Sequence, residues 1–500
     1  MFNGSETTAV LLIFLVAAAI LAWGYNRAKS YGKLGILTWL QSVVLMVPWL
    51  VFFVLFATGI YLNIVGVIFL LVASAGVYIY LGNRLRAAGQ DVILQQRAAQ
   101  RIKEAAELQS KEKQPTTSED KISTDLLPVP ETDLKIIQGI FGIDTFFATE
   151  TISYQEGAIF KGNLRSEPEK AYERLSAKLT TALGEKYRLF LVESPEEKPV
   201  FIVLPSSNDP QPTTLAQKNL AIVLLIATIV TSLEAVSLLQ GFDLFSDLSR
   251  YKEAIPLSLG LWLILAAHEI GHRFMAQRYQ IRLSVPFFLP TWLLGAFGAI
   301  TRFESLLPNR TILFDIAFAG PAVGGIVSLL MLILGLILSH PGSAFQLPTN
   351  FFQGSILVGV FAKIILGDDL QNPLVDVHPL MILGWLGLVI TALNLLPAGQ
   401  LDGGRIVQAI YGRKIARRAT IATLIVLGIV VLVNPGNSIP LYWAILILFL
   451  QRDLERPNLN ELTEVEDTRA AWGLLALFLM LATLIPFSPS LASRLGIGVH

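Results

Sequence analysis

The sequence predicts a polytopic α-helical membrane protein with a small cytoplasmic α+β domain, and three observations predict it. Hydrophobic residues make up 53% of the 500 positions and charged residues only 15%, whereas a soluble domain carries about a quarter charged residues. The apolar residues gather in runs close to the ~20 needed for a helix to cross a bilayer core of ~30 Å. About half of the charged residues fall in one stretch, 84–215. The formal net charge is zero, which gives no sign of a nucleic-acid partner. Cysteine is absent, so disulfides, thiol nucleophiles and cysteine zinc sites are excluded. Any metal must be held by His, Asp or Glu, and there are only five histidines to search.

The first apolar run, 9–25, has no basic residue before it; Arg27, Lys29 and Lys33 follow instead. A signal peptide has the reverse order, so this run is expected to be a retained span with its N-terminus outside the cytoplasm. Further spans are expected near 36–58, 61–82, 218–239, 256–278, 312–338, 378–397, 419–434, 438–451 and 470–487. The run at 352–366 is short and is followed by Asp368 and Asp369, which suits an interfacial or re-entrant segment. Basic residues at 27–33, at 84–103 and in an expected loop at Arg413, Lys414, Arg417 and Arg418 all fall on the cytoplasmic side under the positive-inside rule if 352–366 does not cross. The spans at 256–278 and 378–397 then end on the same side.

Within the polar stretch, a charged helical part runs to Lys113, and Gln114–Pro130 is a linker rich in Pro, Thr, Ser and Asp. From Glu131 to Pro205 the pattern predicts a compact α+β domain. Its β-prone runs lie at 145–150, 157–161, 187–192 and 199–204. An amphipathic helix at 167–183 places Ala171, Leu175, Leu179 and Leu183 at four-residue spacing.

The chemistry concentrates in His268-Glu269-Ile270-Gly271-His272, inside the apolar stretch Leu261–Met275. Histidines four apart on a helix share one face, so both rings reach a single ion. Glu269 is turned about 100° from His268, beside the metal rather than on it, where a base that deprotonates an activated water belongs. Ionisable groups in an apolar helix are costly and functional by default. A hydrolytic zinc site usually has a third protein ligand. His340 and His500 are expected at solvated ends and His378 at a helix start, so a carboxylate is the better candidate. Asp402 lies in Asn394-Leu395-Leu396-Pro397-Ala398-Gly399-Gln400-Leu401-Asp402-Gly403-Gly404-Arg405, a glycine-rich break after a span that ends on the side of His272. In isolation a turn Asp would be the simpler reading; the shared side and the missing ligand favour coordination. Asn394 has two readings, donation to a substrate carbonyl or orientation of Asp402 against simple helix capping.

These paired motifs, His-Glu-x-x-His and Asn-x-x-Pro…Asp-Gly, resemble those of the site-2 protease family of intramembrane metalloproteases over about residues 218–410. The resemblance implies a site-2 protease core, zinc held by His268, His272 and Asp402, Glu269 as the catalytic carboxylate, and peptide-bond hydrolysis within the membrane. Gly162-Asn163-Leu164-Arg165 resembles a signature of the ethylene-dependent gravitropism-deficient and yellow-green branch of plastids and cyanobacteria. Many family members carry Asn four residues after the Gly of a Gly-Pro motif, where this chain has Gly320-Pro321-Ala322-Val323-Gly324. The domain that bacterial periplasmic-type relatives insert between the catalytic motifs is expected to be absent, because the span-to-span distances leave no room for it.

The expected organisation is therefore N-terminal transmembrane helices (1–83), a charged helix and linker (84–130), the soluble α+β domain (131–215), a metalloprotease core (216–410) and C-terminal transmembrane helices (411–500). Between the zinc helix and the next span, Pro286–Leu294 is broken by prolines and Gly295–Thr301 is extended in pattern. One reading is a re-entrant hairpin, with Gly295 and Gly298 in the strand that an unwound substrate pairs with; the other is an amphipathic surface loop. The implied partners are membrane-protein or peptide substrates and the bilayer, in a plasma or thylakoid membrane with the active site toward the cytoplasm. Competing classes are a non-catalytic scaffold or chaperone of the same fold and, less favoured, a transporter. Glu234 is an outlier in its span, assigned to packing or a lateral gate.

Overall fold

The computed structural model describes residues 129–498, less 155, 195, 292, 293, 435, 436, 438 and 452, together with scattered positions between 21 and 84. The spans expected at 9–25, 36–58 and 61–82 and the charged helix and linker fall wholly or largely outside the described residues, and so does His500. Two compact units divide the chain: Met1–Thr124 with Thr214–Val223 and Asp243–Ser249, and Asp125–Thr213 with Leu224–Phe242 and Arg250–His500. Every interaction below lies within the second.

In that unit the polar stretch folds as α1 (Glu131–Ile140), β1 (Phe146–Tyr154), β2 (Gly157–Leu164), α2 (Pro168–Leu183), β3 (Tyr187–Glu193) and β4 (Pro199–Pro205). The sheet runs β1-β2-β4-β3 with every neighbouring pair antiparallel. Pro168 opens α2, where its fixed φ fits the first turn. Ala171, Leu175 and Leu179 point inward at four-residue spacing, and Gly184, at φ +60°, closes the helix. They bury Phe146, Phe160, Phe201 and Leu191 of the sheet in one apolar core. Gly162 of the Gly-Asn-Leu-Arg tetrapeptide pairs with Ala148 beside a β-bulge. A Cβ there would press on the Ala148 Cα at 2.9 Å and on the Phe147 carbonyl, so this glycine serves the sheet.

The β3 edge is extended by a distant segment. Leu191 N–H donates to the Leu459 carbonyl at 2.8 Å and Glu461 N–H to the Leu191 carbonyl at 2.9 Å. On its other side the same segment donates from Leu459 and Asn460 to the carbonyls of Leu307 and Pro308, both at 2.9 Å.

The apolar runs become α3 (Leu215–Leu239), α4 (Tyr251–Arg278), α5 (Arg310–Ile337), α6 (Ile356–Leu366), α7 (Pro379–Asn394), α8 (Asp402–Val433), α9 (Ile439–Leu446), α10 (Asp467–Leu484) and α11 (Pro489–Arg494). Among the described residues, α3, α4, α5, α8 and α10 are long and apolar enough to cross a bilayer. Helix α6 is only 11 residues, roughly 16 Å at 1.5 Å per residue, too short to cross by itself. Helix α7 is buried on nearly every side between α4 and α5. Its Gly387 and Gly384 face Ser328 and Leu332 of α5 so closely that a side chain would strike them, the small-residue packing typical of membrane helices.

One expectation needs correction. The basic residues after Tyr411 do not form a loop before a span at 419–434; α8 breaks at Gly412, whose φ of 80° and ψ of 175° are not helical, and the basic residues open the second helical part, which runs on to Val433. Arg, Lys and Ala all favour helix, so charge alone did not end the element.

Leu175→Ala should destabilise the sheet region by about 2–5 kcal/mol. Amide hydrogen exchange on the full chain should show faster exchange in α2 and β3, and α4 should be unaffected. Equal acceleration in α4 would mean that the sheet region has no core of its own.

Candidate metal centre

Helix α4 carries His268 and His272 one turn apart, with ring centroids 4.9 Å from each other. The His272 Nδ1 lies 2.8 Å from the carbonyl of Ile316 on α5. A carbonyl only accepts, so Nδ1 bears the proton and the lone pair of Nε2 faces the site. Asp402 opens α8 after a turn in which Gly399 takes φ +51°. Gly403 and Gly404 pack against the carbonyls of Leu395–Leu396 and Ala398–Gly399, where a Cβ would collide. Those glycines let the chain fold back on the end of α7, and the fold-back places the carboxylate.

The three groups meet. His268 Nε2 is 3.2 Å from His272 Nε2 and 3.2 Å from Asp402 Oδ2, and His272 Nε2 is 3.4 Å from Asp402 Oδ2. A tetrahedral zinc with bonds of ~2.0–2.1 Å sets its ligand atoms about 3.3 Å apart. The donor set fits zinc in identity, count and spacing, and it is buried.

Glu269 does not join this triangle. Its Oε2 accepts from the Thr301 hydroxyl at 3.0 Å, and its Oε1 lies 2.9 Å from Arg273 Nε one turn along α4. A cavity of about 10 Å³, enough for a single water, is lined by His268, Glu269, Gly298, Ala299, Ile264, Leu265, Ile390 and Thr391. Glu269 and His268 thus border one water-sized space.

Helix α5 supports the site by having no side chains where it crosses α4. A Cβ on Gly320 would run into the His272 ring, and one on Gly324 would lie 3.0 Å from His268 Cβ and 3.1 Å from its Nδ1. The departure from Asn at position 324 thus sits directly against a ligand, in space this chain leaves to glycine.

The segment after α4 is a hairpin. Strands β5 (Phe287–Thr291) and β6 (Gly295–Ile300) pair antiparallel, Phe287 opposite Ile300 and Thr291 opposite Gly295. Gly295 and Gly298 take φ +80° and +103°. The Asn394 amide donates to the Phe297 carbonyl at 3.2 Å and to the Ile390 carbonyl at 3.0 Å, and Thr231 donates to the Gly295 carbonyl at 2.6 Å. His340 is exposed, and His378 caps α7 by accepting from Leu380 N–H at 3.3 Å. Glu234 is buried. Sequence reasoning missed Thr301, Arg273 and the Ile316 carbonyl. Only Arg273 had a signal, four residues from Glu269 on one helix face.

The model of peptidase family M50 matches residues 256–434, and that of the EGY3 middle domain matches residues 135–212. The chain is 39% identical over 374 residues to the probable zinc metalloprotease EGY2, chloroplastic, of Oryza sativa subsp. indica, covering 72% of this chain and 68% of that protein. It is 36% identical over 409 residues to the probable zinc metalloprotease EGY1, chloroplastic, of Arabidopsis thaliana, covering 74% of each. The chain belongs to peptidase family M50. To the Arabidopsis EGY2 protein it is 37% identical, spanning 66% of that relative's length. No solved structure matches the chain. The M50 match contains both histidines, Glu269, the hairpin and Asp402, and the middle-domain match contains the sheet from β1 to β4.

Gly320→Ala puts a methyl group into the His272 ring. Zinc affinity should fall about 10- to 100-fold, measured by competition with a chelator; unchanged affinity would show that α5 does not fix the ligand.

Proposed function

We propose that this M50 chain is an intramembrane zinc metallopeptidase that hydrolyses peptide bonds of membrane-protein substrates, with Glu269 as its base. One observation carries the reading: two imidazoles and a carboxylate converge at zinc-ligand spacing beside a water-sized cavity that Glu269 also lines. Bound there, zinc would acidify a water and polarise the scissile carbonyl. Glu269, pinned by Thr301 and Arg273, takes the proton as the water oxygen bonds to the carbonyl carbon. It then delivers that proton to the amide nitrogen as the C–N bond breaks.

The cavity has room for one water and not for a peptide, so the site must open for a substrate. Strand β6 lines the cavity through Gly298 and Ala299. An unwound substrate segment pairs with this strand, its N–H groups replacing Thr231 and Asn394 on the carbonyls of Gly295 and Phe297. Gly295 and Gly298 are then binding residues through their backbone, and Asn394 is the latch that substrate displaces.

The basic residues from Arg413 follow Asp402 by about three helical turns, which supports a site near the cytoplasmic face. The chloroplastic relatives favour a plastid-type membrane such as the thylakoid over the plasma membrane.

Glu269→Gln should reduce cleavage of a reconstituted transmembrane substrate about 10²- to 10⁴-fold while one zinc per chain is retained. Normal cleavage by this variant would remove the mechanism. Gly298→Pro cannot adopt φ +103°, and it should abolish cleavage with zinc still bound; loss of the metal instead would assign Gly298 to the fold alone.

A further inference from the structure

Asp402 has a second carboxylate oxygen, and a buried cation stands close to it. Arg405, one turn along α8, places Nη1 3.9 Å from Asp402 Oδ1. Arg405 is 7% exposed, and its guanidinium carbon lies 4.8 Å from the centre of the Phe303 ring. It is held back from Asp402 by other partners. Its Nε and Nη2 lie 3.0 and 2.9 Å from Glu455 Oε2, and Nη2 donates to the Thr301 carbonyl at 2.9 Å. Glu455 is as buried as its partner.

An arginine left to itself in a buried site closes on the nearest carboxylate as a bidentate pair. Here the nearest other carboxylate is the metal ligand, three residues away on the same helix face. A bidentate Arg405–Asp402 pair would take Oδ2, the oxygen that faces the histidines, along with Oδ1, and so compete with the metal for the ligand. Glu455 removes that competition.

The placement of Glu455 is itself enforced. Gln408, the next residue on that face, accepts from Glu455 N–H at 3.1 Å and donates to its carbonyl at 3.4 Å. Arg413 donates to the same carbonyl. Arg310 caps the carbonyls of Ala409 and Ile410 just before the break at Gly412. Asp402, Arg405 and Gln408 thus form a buried polar stripe on the part of α8 before Gly412, laid against the Glu455 segment. That segment continues to Asn460, whose side-chain oxygen accepts from Leu462 and Thr463 N–H at 3.1 and 3.2 Å. There it adds to the edge of β3 through Leu191.

We propose that Glu455 is a positioning residue that tethers Arg405 and so keeps Asp402 available to the metal, and that the strap through Asn460, anchored on the β3 edge at Leu191, holds Glu455 against α8. Metal retention then depends on a sheet distant in sequence from every ligand. The inference rests on the metal reading of the preceding section.

The test is the rate of zinc transfer from full-length protein in detergent to an excess of chelator. Glu455→Gln should release zinc about ten-fold faster, because Arg405 turns to Asp402. Adding Arg405→Gln in that background should return the rate to within about three-fold of wild type, since the competitor is gone; a damaged fold would not recover. Asn460→Ala should accelerate release in the same direction. Glu197→Gln, which breaks an exposed ion pair with Lys414 off the strap, should leave the rate unchanged. Wild-type release from Glu455→Gln, or a double variant as fast as the single one, overturns the tether. Wild-type release from Asn460→Ala overturns the link to the sheet. A wild-type chain that holds no zinc would fail the metal reading instead, so the two failures are distinguishable.

Discussion

Three ligand atoms held 3.2–3.4 Å apart and away from bulk water need either a shared proton or a metal ion among them, since their lone pairs otherwise repel. Much of the core is built to force that convergence. Helical periodicity brings His268 over His272, and the Ile316 carbonyl fixes which ring nitrogen faces inward. The glycines around Asp402 fold one helix end onto the next. Each device costs conformational freedom or close packing, and each is readily explained if a metal repays the repulsion.

The neighbouring hairpin has a complementary logic. Backbone that is neither helical nor closed into a barrel is tolerated at membrane depth only when its polar groups find partners. Side chains from α3 and α7 meet that demand at two carbonyls of β6. They satisfy the strand by intramolecular bonds, and under the proposed function a peptide, which also has N–H groups to offer, takes their place. Arrangement of the site and access to it are thereby separate problems, solved by different elements.

Much of this was legible in the sequence. The two histidines and Glu269 follow from a period of 3.6 residues, and Asp402 from the side on which two spans end. The β-prone runs and the four-residue apolar spacing of 167–183 fall on the observed strands and on α2. What stayed hidden has a common cause. Thr301, Ile316, Arg405 and Glu455 act across contacts that span tens to more than a hundred residues, and no local pattern marks a partner. The helical part of α8 that opens at its basic residues, after the break at Gly412, was missed because charge was read as loop, although those residues are good helix formers. Gly320 and Gly324 stand out in the sequence only as a Gly-Pro motif and a departure from it; that they make room for His272 and His268 is invisible until the helix that presses on them is known.

The convergence of the ligands is tested most directly by zinc X-ray absorption on the full-length protein. The account requires a light-atom shell at ~2.0–2.1 Å with the outer scattering of two imidazoles, and a loss of the zinc signal or a changed shell in Asp402→Ala. A spectrum with a single imidazole, or one that Asp402→Ala leaves untouched, would contradict it.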